Sequence, residues 1–245
     1  MDILYFITIF ILSFFQSIFG IGLLALGTPI FLLYGFLFEE TLSLLLPCSI
    51  LVSIMTLFFA REQYKKDLNI VFIEYFLLFC IPSVVIGFIF MYSYQPHINL
   101  NLIIGFLILI SVTLSLSISK KNYAIAWNNK KLLNVLIGFI HGLSNVGGSF
   151  LSNYLLILNK YEKKKTRTQI AFAYIFFASI QYFFLLLLFN NINHFKNIYI
   201  FLAMAFFGVI IGYGLQKFLN NILFLYIINI AIVISAFSLI FKSLK

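Results

Sequence analysis

Small polar residues and glycines interrupt two stretches of this chain that are otherwise apolar. Hydroxyl, amide and free backbone groups are costly at membrane depth unless they line a cavity or pack inside protein. A helix that begins inside a membrane also offers unpaired N–H groups and the positive end of its dipole, which bind anions without a lysine. We therefore predict a site for a small anionic substrate. Its candidate residues are Gln16, Ser17, Gly20, Gly22, Thr28, Ser49, Gly142, Ser144, Asn145, Gly147, Gly148, Ser149 and Asn153.

These residues also have a plainer interpretation, because small side chains allow two membrane helices to pack closely. His141 leaves two interpretations open as well. It is the one histidine within an apolar segment of the sequence. There it could carry a proton that couples transport to a gradient, or it could be a hydrogen-bonded core histidine.

The sequence contains no recognisable catalytic or metal-binding pattern. It has no HExxH motif, nucleophile elbow or phosphate-binding loop. Both cysteines, Cys48 and Cys80, lie inside apolar runs, which argues against a disulfide or metal framework. We therefore expect neither enzyme activity nor a cofactor. The alternative function is an integral-membrane enzyme or assembly factor that acts on a lipid or cofactor precursor, and a structural subunit is a third.

The composition excludes a water-soluble fold. Of 245 residues, 63% are hydrophobic and 9% are charged, whereas soluble domains carry about 25% charged residues. The apolar runs do not alternate as strands of a membrane barrel would, so we predict an all-α, polytopic membrane protein. The net charge of +9 comes from short basic clusters between apolar runs. Such clusters are typical of membrane-protein loops, and no nucleic-acid partner is expected.

The apolar segments divide the chain into two similar halves. The segments at 3–38 and 132–159 are too long for one crossing, because they would span roughly 54 and 42 Å as straight helices against a bilayer core of about 30 Å. Both carry glycines near the middle, and each is followed by three segments of single-span length. We predict a first repeat at 1–119, a basic linker at 120–131 and a second repeat at 132–245.

The distribution of basic residues favours two inverted repeats. If each long segment crosses once, the best orientation leaves six of the 16 basic residues outside. If each is re-entrant and folds back at its glycines, only three of the 16 lie outside, namely Lys196, Lys242 and Lys245. The positive-inside rule therefore predicts an external N-terminus and a cytoplasmic Lys163. Inverted repeats with broken helices are a transporter architecture.

Several motifs together resemble the sulfite exporter TauE/SafE family over nearly the whole chain. The first repeat contributes a glycine-rich run at 20–29, although its Gly-Ile-Gly lacks the family's consecutive glycines. Its Pro47-Cys48-Ser49 stands where a small-Thr-Ser step is more typical. The residues of the second repeat that carry the resemblance are Gly138, Gly142, Ser144, Gly147, Gly148 and those at 163–167 and 171–174.

The resemblance implies a permease of the bacterial inner membrane that moves small sulfur anions such as sulfite or sulfonates. With the broken segments, it predicts a multi-pass anion transporter that works by alternating access. Its partners would be the bilayer and the anion, and a homo-oligomer remains open. Because no basic residue is evident inside a predicted span, anion recognition is expected to rest on backbone dipoles and on hydroxyl or amide donors.

Overall fold

The protein is all-α in the computed structural model, which describes residues 2–61, 67–95, 99–117, 129–159, 162–189, 197–216 and 221–244. Ten helices form these parts of the chain, and no strand occurs among them, so the all-α prediction is confirmed. The helices are α1 (Asp2–Phe19), α2 (Gly27–Leu33), α3 (Phe38–Phe59), α4 (Ile70–Tyr94), α5 (Leu100–Ser117), α6 (Lys130–Ser144), α7 (Gly147–Leu158), α8 (Lys163–Leu188), α9 (Ile198–Leu215) and α10 (Asn221–Ser243).

Four of the described helices, α3, α4, α8 and α9, are long and apolar enough to cross a membrane by length and composition. Helix α4 contains one π-helical turn at Phe76–Cys80, just before Pro82. Residues 120–128 of the predicted linker at 120–131 lie outside the described residues. So do the basic residues Lys65, Lys66, Lys120, Lys121, Lys160, Lys196, Lys217 and Lys245.

The first long segment doubles back on itself. Helix α1 ends at Phe19, and the chain turns at Gly20, whose φ of +78° lies in the left-handed region that glycine adopts without a steric penalty. After the irregular residues 20–26, which we call the first break, α2 returns along α1. The Thr8 Oγ1 and Tyr34 hydroxyl atoms lie 3.1 Å apart, so the end of α2 lies beside the beginning of α1.

The second limb of this segment begins later than the sequence predicts. Helix α2 starts at Gly27 rather than near Gly22. The Gln16 side chain explains the longer break, because its Oε1 accepts a hydrogen bond from the Leu23 backbone N–H at 3.1 Å. A side chain thus pairs the Leu23 N–H, which would otherwise need a backbone carbonyl of a regular helix as its acceptor.

The second long segment also doubles back. Helix α6 ends at Ser144, and Asn145 has a φ of 64° and donates its backbone N–H to the His141 carbonyl. Residues 145–146 are the second break, and α7 starts at Gly147, beside the predicted Gly148. The Tyr154 side chain on α7 lies beside the Asn134 side chain in the first turns of α6.

Helices α1 and α9 pack side by side and run in the same direction. The Phe6 and Phe201 ring centroids are 4.6 Å apart near their N-terminal ends. Further along both helices, the Ser17 hydroxyl lies against Gly212, where a Cβ would overlap it. Glycine therefore sets the close approach of this pair.

Helices α4 and α6 form the corresponding pair and are also parallel. Gly138 lies against the Cys80 carbonyl, and Gly142, one turn later, lies against the Val84 carbonyl, also one turn later. An added Cβ would overlap either carbonyl, so both glycines are required for this helix contact.

Helices α5 and α10 run in opposite directions. The Asn99 side chain donates to the Ser243 carbonyl at 3.2 Å, while Gly105 packs against Ala236 and Ile240. Together with the parallel pairs, this is the set of directions that follows when both long segments fold back. Straight crossings would make α5 and α10 parallel.

Helix pairing has the pattern that an internal repeat produces. Suppose that each of helices α1–α5 is exchanged for its counterpart in α6–α10. The contacting pair α1 and α9 then becomes α6 and α4, which also contact each other. The same exchange turns α3 and α9 into α8 and α4, and α2 and α10 into α7 and α5. The pairs α3 with α8 and α5 with α10 map onto themselves.

The two ends of the helix bundle differ in charge. At one end, the Tyr213 hydroxyl donates to the Phe59 carbonyl, and the Arg167 guanidinium lies over the Tyr213 ring. At the opposite end, Gln95 donates to the Glu39 carboxylate at 3.0 Å. We call the first the basic end. Its seven described cations, Arg61, Lys130, Lys131, Lys163, Lys164, Lys165 and Arg167, outnumber its described acids Asp67, Glu74 and Glu162.

Candidate functional site

The two broken segments meet through one side-chain hydrogen bond, between the second break and the first turn of α2. The Asn145 Nδ2 atom donates to Thr28 Oγ1 at 2.9 Å, and both residues are fully buried. The Thr28 hydroxyl in turn donates to the Leu24 carbonyl at 2.7 Å. Asparagine is one of the few residues that tolerates the left-handed backbone found at position 145. The predicted site residues of the two halves are thus in direct contact here.

Gln16 fixes the first break to α3. Besides the bond from Leu23, its Nε2 atom donates to the hydroxyls of Ser49 and Ser53, each at 3.3 Å. All of these side chains are buried. Gln16 and Ser49, two predicted site residues, are therefore neighbours that hold the broken backbone in place.

Serines play the same part at the second break. The Ser149 hydroxyl donates to the Val146 carbonyl at 2.8 Å and accepts from the Ser111 hydroxyl of α5 at 2.6 Å. The Ser144 hydroxyl donates to the Ile140 carbonyl at 2.7 Å. Ser111 is a partner that sequence reasoning missed, since it lies within an apolar run of another span.

The remaining candidates differ in their surroundings. The Ser17 hydroxyl donates to the Phe14 carbonyl at 2.9 Å and packs against α9, and Asn153 is half-buried on α7. Close contact with neighbouring backbone or side chains accounts for the predicted glycines. These are Gly20, which faces Ile170, Gly22, which faces the Leu12 carbonyl, Gly142, which faces α4, Gly147, which faces the Ile137 carbonyl, and Gly148, which faces the Tyr174 hydroxyl.

Buried polar atoms without partners gather beside the second break. The His141 ring is fully buried and stacks on Phe177 with centroids 3.9 Å apart. Among the described residues, neither ring nitrogen of His141 has a hydrogen-bond partner, and nor have the Tyr174 hydroxyl, the Asn145 Oδ1 or the Gln181 Oε1 atom. Such atoms call for a ligand or water. The Gln181 side chain lies beside His141 and donates to its backbone carbonyl at 3.2 Å, so the core and proton-coupling interpretations of His141 both stay predictions.

A cavity of about 340 Å³ opens at the basic end of the bundle. It lies between the end of α1, the first break, α7, the start of α8 and the end of α9. None of the predicted site residues lines it. The lining residues are Ile18, Phe19, Ile21, Ser152, Leu156, Lys163, Lys164, Thr166, Arg167, Tyr213 and Gln216.

Comparison with known proteins identifies the family. A family model described as Sulfite exporter TauE/SafE matches residues 5–241 of the chain. The chain belongs to this family. Members of the TauE/SafE family are transporters rather than enzymes, so the protein is a multi-pass membrane transporter with a small-molecule substrate. The comparison with curated proteins found no match, and neither did the comparison with solved structures.

Arg167 is a residue of this TauE/SafE protein whose burial was not predicted from the sequence. Its side chain is only 8% exposed and lies in the first turns of α8, a helix long and apolar enough to cross a membrane. Helical spacing gives the signal, because Arg167, Tyr174 and Gln181 are seven residues apart and share the buried face of α8.

Metal and cysteine chemistry are not indicated by the part of the chain that the structure describes. No group of three or more His, Cys, Asp or Glu residues could hold a metal ion among the residues described. Cys48 and Cys80 are free and buried.

The bond between the two broken segments can be tested through stability. Replacing Thr28 by valine removes the acceptor of Asn145 and leaves a buried amide donor unpaired, which costs about 1–3 kcal/mol. We expect Thr28→Val to lower the unfolding temperature in detergent and Thr28→Ser to keep most of it. The matched control is Thr56→Val, because the Thr56 hydroxyl bonds only the Val52 carbonyl of its own helix. Equal unfolding temperatures for the two valine variants would contradict the assignment.

Proposed function

We propose that this TauE/SafE protein is a permease of the bacterial inner membrane for small anions, namely sulfite, sulfonates or related organic anions. It works by alternating access around the two broken segments. One observation carries the proposal: two broken segments from different halves of the chain meet at the Thr28–Asn145 bond, with a polar cluster on one side. Broken helices that meet at a repeat interface form the substrate sites of transporters.

The architecture that we propose consists of inverted repeats at 1–119 and 132–245, joined by a basic linker at 120–131. Both long segments double back, and the helix pairing exchanges onto itself between the halves. These features support inverted repeats. An inverted arrangement of the two halves requires α5 and α10 to run in opposite directions, as they do here. Two such halves can rock against each other around a fixed site.

We place the basic end of the bundle in the cytoplasm and the N-terminus outside. The described cations of the basic end are Arg61, Lys130, Lys131, Lys163, Lys164, Lys165 and Arg167. Among the described residues, the opposite end carries Glu39, Glu40 and Lys242. The positive-inside rule supports this orientation.

In this conformation the predicted substrate residues are closed against one another. The Thr28–Asn145 bond joins the two broken segments, and Gln16 holds the first break to α3. We take the bond as a gate. When the halves move apart, the Thr28 hydroxyl, the Asn145 amide N–H and the Tyr174 hydroxyl become donors to the anion.

A flux measurement tests the proposal directly. The purified protein in proteoliposomes is expected to move sulfite, methanesulfonate or acetate down a gradient faster than protein-free vesicles do. The three anions separate sulfur oxyanions from carboxylates. If none of them moved faster than in protein-free vesicles at any gradient or pH, the assignment of these anions as substrates would fail.

His141 is the candidate for proton coupling, because its unpartnered ring lies beside the second break. The variant His141→Asn keeps a polar side chain that cannot take up a proton. With coupling through His141, a proton gradient accelerates transport by the parent protein but not by His141→Asn. Equal acceleration of both proteins would exclude this role and leave the histidine a packing residue on Phe177.

A further inference from the structure

The cavity at the basic end has a lining with two contrasting parts. The cations of the lining, Lys163, Lys164 and Arg167, all come from the start of α8, and no carboxylate is among the described lining residues. The apolar lining residues Ile18, Phe19, Ile21 and Leu156 come from α1, the first break and α7. A concave surface with a charged part and an apolar part suits a small amphiphilic anion.

Arg167 differs from the lysines beside it because it is buried. Its side chain is 8% exposed, whereas Lys163 and Lys164 are exposed. The Arg167 Nε atom has no hydrogen-bond partner among the described residues. A buried cation is costly unless an opposite charge and hydrogen bonds compensate it, so this donor calls for an acceptor.

The orientation of Arg167 is set by its neighbours. The guanidinium carbon lies 5.9 Å from the centre of the Tyr213 ring, a cation–π distance. Tyr213 is itself held, because its ring stacks on Phe59 at 4.6 Å and its hydroxyl donates to the Phe59 carbonyl at 3.2 Å. The face of the guanidinium is thus supported, and its N–H edges are left to bind other groups.

The Asp67 charge acts on Arg167, but the described hydrogen bonds of Asp67 go to other residues. The Asp67 carboxylate accepts a hydrogen bond from the Thr168 hydroxyl at 3.5 Å, and the Asp67 carbonyl accepts one from Gln169 Nε2 at 2.7 Å. No described contact gives Arg167 a hydrogen-bonded carboxylate. Its N–H groups are therefore available to a ligand in the cavity.

We propose that Arg167 binds the charged head of a sulfonate or similar oxyanion in this cavity, with a short apolar group of the anion against Ile18, Ile21 and Leu156. The site rests on the proposed function. It adds an anion-binding step at the basic end, between that end of the bundle and the closed Thr28–Asn145 gate. The planar guanidinium matches two oxygens of an oxyanion at once. Free sulfite has no apolar part, so the site favours organic sulfonates.

Thiol labelling inside the cavity tests the site without a transport assay. The variant Ser152→Cys puts a thiol in the lining, while both native cysteines are buried. Its reaction rates are measured with anionic (2-sulfonatoethyl) and cationic (2-trimethylammoniumethyl) methanethiosulfonate, each divided by the rate with 2-mercaptoethanol. We expect the anionic reagent to be favoured about tenfold, a factor that one nearby charge can supply. Propane-1-sulfonate should slow the labelling more strongly than methanesulfonate.

The matched control removes a charge from the same end of the bundle. Arg167→Gln in the Ser152→Cys background is expected to abolish the anionic preference. Arg61→Gln should preserve it, because Arg61 is exposed and outside the cavity. Arg167→Lys keeps the charge but not the two-pronged geometry, so it should retain the preference while propane-1-sulfonate protects about tenfold less well.

The outcomes separate this inference from the proposed function. An unchanged reagent preference in Arg167→Gln, or an equal loss in Arg61→Gln, would overturn the site even if the parent protein transports anions. If Arg167→Gln does not fold, full protection of Arg167→Lys by propane-1-sulfonate would overturn it instead. Failure of the parent protein to transport any anion would reject the proposed function while the labelling result stands.

Discussion

Pairing of backbone groups where a helix breaks inside an apolar bundle is the constraint on which this structure depends. Away from water, each unpaired N–H or carbonyl is costly, so a break persists only where side chains replace the missing helical bonds. Gln16 does so at the first break, and Ser149 at the second. The Thr28–Asn145 bond then joins the broken segments to each other. This requirement explains why small polar residues occur within the two long apolar segments.

This constraint also explains why the same positions suit transport. When a side chain releases the backbone N–H of a break, that N–H can donate to a bound anion instead. Around it, glycines hold α1 against α9 and α6 against α4, so that each re-entrant segment packs on a helix of the other half. Motion of one half against the other would therefore act first on the contact between Thr28 and Asn145. Rigid packing and a separable polar contact are both needed for alternating access.

Much of the fold follows from composition and segment length. The apolar content predicts helices in a membrane, and excess length with central glycines predicts the two doubled-back segments. The start of α2 was misjudged because Gln16, a side chain from α1, pairs the loop backbone. No local sequence pattern predicts such a contact. Single glycines were ambiguous for a similar reason, since Gly142 is explained by the Val84 carbonyl of a helix distant in sequence.

The site was harder to predict than the fold. Hydroxyl and amide residues in apolar runs indicate where the backbone breaks, but not which of them face each other. The burial of Arg167 was not predicted, because a basic cluster at the start of a helix is typical of exposed loop residues. Only the seven-residue spacing of Arg167 from Tyr174, and of Tyr174 from Gln181, indicates that it is buried. The burial of Arg167 also changes the electrostatic basis expected for anion recognition. A buried arginine beside the first break gives the anion a charged partner that loop lysines cannot supply.

Sidedness of single cysteines in intact cells tests most directly that both long segments double back. The first pair of positions flanks segment one (Ile3 and Leu37), and the second flanks segment two (Lys131 and Lys163); all four side chains are exposed, and the native cysteines are buried. The account predicts that a membrane-impermeant thiol reagent labels Ile3→Cys and Leu37→Cys from outside. Lys131→Cys and Lys163→Cys should react only once the cytoplasmic face is opened. Labelling of the two members of either pair from opposite faces would contradict it.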